Sequence, residues 1–84
     1  MNAAALLTED RFSNWRVIAT DKEGNEHLIF TGKSYTHVTE AFPDAFDGLL
    51  DVEEKSKITS VTVQKWNGTA SMGDWKNKKS LQIP

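Results

Sequence analysis

The chain has 84 residues, with ten Lys+Arg against twelve Asp+Glu and no cysteine. That is one domain's worth, and a chain this short buries only roughly 60–65% of its unfolded surface. Disulfide scaffolds, cysteine zinc sites and thiol chemistry are excluded, and the longest apolar run, residues 3–7, is too short to span a bilayer.

Residues 1–7 contain neither Lys nor Arg. A signal peptide would need a basic start and a longer apolar stretch, so the expected location is the cytoplasm, of a host if the gene is a phage's. Residues 8–12 can form a helical turn with Thr8 as N-cap. More simply, residues 1–13 form an arm that lays Leu6, Leu7 and Phe12 on the core. Residues 14–21 then read as a strand, being β-branched and aromatic with no Gly or Pro. Gly24 and Asn25 supply turn chemistry, and residues 26–31 read as a second strand, which makes an antiparallel hairpin.

The period changes after Lys33. Tyr35, Val38, Ala41, Phe42, Ala45, Phe46, Leu49 and Leu50 form an apolar stripe at helical spacing, with Ser34 or Thr36 as N-cap. Pro43 interrupts the hydrogen-bond ladder while the stripe keeps phase. The expectation is a kinked helix or two abutting helices. Residues 51–57 read as a polar connection and residues 58–66 as a third strand. Asn67-Gly68 is turn chemistry, after which the strand either ends or folds back weakly over residues 69–72. No period is visible from Gly73 onward.

The implied fold is α+β: a small two-layer β-β-α-β domain. A three-stranded, mainly antiparallel sheet carries one Pro-kinked amphipathic helix on one face. It occupies residues 14–66, with the arm before it and a basic C-terminal tail, residues 67–84, after it. Strand alternation places Trp15, Val17, Ala19, Leu28, Phe30, Val61 and Val63 under the helix. Arg16, Ile18, Thr20, His27, Ile29, Thr31, Thr62, Gln64 and Trp66 fall on the open face. Within that set, Arg16, Ile18, Ile29, Gln64 and Trp66 are the candidate protein interface, because Trp and Arg are the residues most enriched as interface anchors. The arm or tail, covering the same surface, is the competing occupant.

Charge is divided unevenly. Residues 1–56 carry five basic and eleven acidic residues; residues 57–84 carry five lysines and one acid, Asp74. Glu40, Asp44, Asp47 and Asp51 would form one outward row on a continuous helix, a second candidate protein surface or simply the solvated back of the helix. In the tail, Trp75, Lys76, Lys78 and Lys79 are candidate nucleic-acid contacts, since lysines track phosphates while aromatic rings stack on bases. His27 and His37 lie in different elements without metal-ligand spacing, and neither a phosphate-binding glycine loop nor a nucleophile–base pair is recognisable.

These features predict a non-enzymatic, cofactor-free protein-binding module. Its size matches that of phage or mobile-element inhibitors and adaptors. A nucleic-acid-binding accessory domain is the alternative, self-association through the open face or an edge strand a third possibility, and no membrane partner is expected.

Overall fold

The computed structural model describes residues 13–84. The helical turn expected over residues 8–12, and the arm expected over residues 1–13 apart from Ser13, lie outside the described residues. In chain order the elements are β1 (Trp15–Asp21), β2 (Glu26–Gly32), α1 (Tyr35–Leu49), α2 (Val52–Lys57), β3 (Ile58–Gly68) and β4 (Gly73–Leu81). The strands form one antiparallel sheet in the order β2-β1-β3-β4, with α1 packed chiefly over β2 and β1. The α+β class is as the sequence implied, but the sheet has four strands rather than three.

Local chemistry accounts for each junction. At the β1–β2 turn, one oxygen of Asp21 accepts the amides of Glu23 and Asn25, both at 2.9 Å. Gly24 supplies the positive φ, 87°. Ser34, not Thr36, caps α1, accepting the His37 amide at 3.1 Å. The helix then runs through Pro43 as a single element, not as two abutting helices. Pro43 removes one amide, but Val38, Phe42 and Phe46 are buried in phase on both sides of it and hold the two halves on the same sheet. Leu50, not Leu49, closes the stripe: Leu50 is buried while Leu49 and Tyr35 are exposed. The expected polar connection is a short helix, α2, whose Asp51 and Glu54 form a reciprocal capping box.

Three irregularities in the ladder redistribute the faces. In β2 the register shifts so that Val17 opposes Phe30 while Ile18 opposes Leu28, leaving Ile29 as the extra residue. Three expected positions are thereby corrected. Ile29 is buried in the core, Leu28 is 52% exposed on the open face, and His27 falls on the helix side beside Ala19. A second shift, at Thr59, brings Ile58 beside Asp21 and into the core rather than onto the open face. The third lies in β4 at Lys78.

The core between sheet and helix contains Val17, Ala19, Ile29, Val38, Phe42, Phe46, Leu50, Ile58, Val61 and Val63. Trp15, Phe30, Ala45 and Leu81 pack against it. Residues 67–84 are mostly sheet rather than tail. β3 continues to Gly68, residues 69–72 form the connecting loop rather than a weak strand, and β4 returns along β3. Gly68 (φ 136°) and Gly73 (φ 157°) close that loop, where a Cβ would lie 2.2–2.3 Å from facing carbonyl oxygens.

Candidate functional site: the open face of the sheet

The face away from the helix is built by register. Arg16 on β1 opposes Gln64 on β3, and Gln64 opposes Asn77 on β4. The three side chains form a continuous polar row. Arg16 Nε donates to Gln64 Oε1 at 2.8 Å, and Gln64 Nε2 donates to Asn77 Oδ1 at 2.8 Å. The next cross-strand pair is Trp66–Trp75, edge to face with centroids 5.3 Å apart. Arg16 Cζ sits 4.0 Å from the Trp75 ring centroid, so one guanidinium ties the polar row to the aromatic pair. Trp66 Nε1 donates to the Thr69 carbonyl at 2.7 Å, which fixes the ring against the β3–β4 loop. Burial lowers the Arg16 pKa, with Glu26 opposing the shift.

Of the five residues expected at a protein interface, Arg16, Gln64 and Trp66 meet in this cluster and Ile18 shares their face. Ile18 is only 4% exposed. Ile29 does not belong, because the β2 bulge turns it into the core. Trp75 and Asn77 were missed as open-face residues. Their signal was alternation in residues 74–77, which sets Trp75 and Asn77 on one side and Asp74 and Lys76 on the other once residues 73–81 are read as a strand.

The other candidate sets are divided. Trp75 lies on the open face, whereas Lys76 opposes Lys65 and Lys79 opposes Val63, both on the helix side; Lys78 is the extra residue of the bulge. On the acidic row, Glu40, Asp44 and Asp47 are exposed along α1, but Asp51 has left it to cap α2. Asp47 accepts from Lys55 Nζ, an interaction that holds its carboxyl below its ordinary value. His27 Nε2 meets Asp21 Oδ2 at 3.1 Å, and His37 stands edge-on to Phe30. Among the described residues no group of three His, Cys, Asp or Glu side chains could hold a metal, and no helix is long and apolar enough to cross a membrane. A shallow apolar groove of about 390 Å³ runs between α1 and the chain end, lined by Phe42, Pro43, Leu81 and Ile83 among others.

Comparison with protein-family models, with curated proteins and with solved structures returned no match.

Proposed function

We propose that this chain is a non-enzymatic protein-binding module, an inhibitor or adaptor of the cytoplasm, that engages its partner through the open face centred on Arg16, Gln64, Trp66 and Trp75. One observation carries the reading: two tryptophans and an arginine converge, half-buried and mutually oriented, on a sheet face that the described helices leave uncovered. Such pre-ordered aromatic and guanidinium groups lose little rotamer freedom on binding, and these residue types dominate interface hot spots. Stacking on nucleic-acid bases fits this face less well, because Lys76 and Lys79 of β4 lie on the other side of the sheet.

The test is affinity capture from native cytosol, treated with nuclease, using the wild-type chain and Trp75→Ala. A protein retained by the wild type and lost from Trp75→Ala is the expected result. Equal capture by the two chains, or capture abolished by nuclease, overturns the proposal.

A further inference from the structure

Among the described residues, the helices cover only part of the helix-side face of the sheet. α1 lies over β2 and β1 and reaches β3 at Val61 and Val63, so β4 and the Lys65 end of β3 form a ledge beside the helix. Cationic and aromatic side chains occupy that ledge. Trp15, Lys65 and Lys76 stand directly opposite one another across β1, β3 and β4, and Lys79 follows on β4 opposite Val63. Lys65 Nζ lies 5.5 Å from the Trp15 ring centroid, and Trp15 meets the exposed Tyr35 edge to face at 5.7 Å. Asp74 is the one described carboxylate paired with these lysines, through an exposed contact to Lys76 at 3.4 Å.

Lysines on an edge strand commonly guard it against pairing with another chain. That accounts for Lys76 and Lys79 on β4. It does not account for Lys65, which sits on an interior strand directly opposite Lys76, where like charges oppose each other across the ladder. Asp74 offsets part of this charge through its exposed contact to Lys76, and an added anion beside Lys65 and Lys76 would offset more. Along β4, Lys76 and Lys79 occupy successive register positions on this face, opposite Lys65 and Val63, with Lys78 bulged between them. A row of cations suits the phosphates of a single nucleic-acid strand, and the Trp15–Tyr35 pair stands at the inner end of the row, beside the bases.

We propose that this ledge is a binding surface for single-stranded nucleic acid, with Lys65, Lys76 and Lys79 on phosphates and Trp15–Tyr35 beside the bases. It lies on the opposite face of the sheet from Trp66 and Trp75, so it stands or falls independently of the protein-binding reading.

The experiment is fluorescence anisotropy of short labelled oligothymidylate and oligouridylate against the full chain over a series of salt concentrations. Amide and indole chemical-shift mapping accompanies it. Expected is low-salt binding that weakens with salt, with shifts at Lys65, Lys76, Lys79 and the Trp15 indole. The variant Lys65→Gln, Lys76→Gln, Lys79→Gln should flatten the log–log salt slope by about 2, three contacts at about 0.7 each. Its unchanged far-ultraviolet circular dichroism would show that it folds; if it does not fold, Lys65→Gln alone should flatten the slope by about 0.7. Oligothymidylate and oligouridylate arms separate DNA from RNA. Absence of binding by both at low salt, a slope unchanged in a folded variant, or shifts confined to Trp66 and Trp75 overturns the proposal.

Discussion

Asp21 is buried at the end of β1, where its carboxylate accepts the Glu23 and Asn25 amides and contacts His27. The His27 hydrogen bond is the largest cause of its depressed pKa, which falls from 3.8 to about 2, with the two turn amides acting in the same direction and burial opposing them. A carboxylate depressed on folding adds stability above its unfolded pKa, and that contribution disappears as pH falls through the folded value. Stability should therefore decline from pH 3.8 toward pH 2 in acid titrations, and Asp21→Asn should flatten that part of the profile. A parallel decline in Asp21→Asn would show that other groups set it. Two glycines make a contrasting pair. At Gly32 a Cβ would stand 2.8 Å from Val38 Cγ1, a side chain fully buried under the helix, whereas at Gly48 nothing lies within 4 Å. Gly32→Ala should cost roughly 1–3 kcal/mol as an overpacked contact. Gly48→Ala, in the last turns of α1, should gain about 0.5–1 kcal/mol. Denaturant melts of the two variants moving in the same direction would contradict this account of the α1–β2 approach.

The helix and its stripe decide the stability of the layer. Phe42 and Phe46 stack edge to face at 5.4 Å and share one buried cluster with Val17, Val61 and Val63. Removing a ring of this kind leaves a cavity, so Phe46→Ala should cost on the order of 3–5 kcal/mol, a large fraction of what a domain this size commands. An unchanged thermal melt would show that the buried face is elsewhere. This stripe was legible because apolar residues recur at helical spacing through Pro43, and β1 and residues 60–66 of β3 were legible because their side chains follow strict alternation. What alternation could not reveal is a bulge. A single extra residue in β2 exchanged Leu28 and Ile29 between faces, and another in β3 brought Ile58 under the helix. Neither carries a Gly or Pro to mark it. β4 escaped for a different reason: its run Gly-Asp-Trp-Lys-Asn-Lys-Lys-Ser-Leu holds few strand formers, and it is stabilised by pairing with β3 rather than by propensity. At the site, Arg16, Gln64 and Trp66 were readable from β1 and β3. Their partners Trp75 and Asn77 became visible only once the fourth strand was in place.

At the scale of the whole molecule, charge and chemistry separate onto different surfaces. Acidic side chains line the outer side of α1 and α2, lysines flank the β3–β4 half of the helix side, and the open face gathers Arg16, Gln64, Asn77, Trp66 and Trp75. The organising claim is that this last group is held in place by the fold but serves an encounter with another protein. The two roles differ in magnitude. A cross-strand aromatic pair contributes roughly 0.2–1 kcal/mol to a sheet, whereas an interface anchor costs about 2 kcal/mol or more of affinity when truncated. The most direct measurement is therefore the paired free-energy change of Trp75→Ala, with unfolding measured by denaturant melt and affinity measured against the protein retained by the wild-type chain. The account predicts a loss of affinity of at least about 2 kcal/mol that exceeds the loss of stability, the latter about 1–2 kcal/mol from the aromatic pair and the Arg16 contact together. A stability loss with unchanged affinity would contradict it and reduce Trp75 to a side chain that only holds the hairpin together.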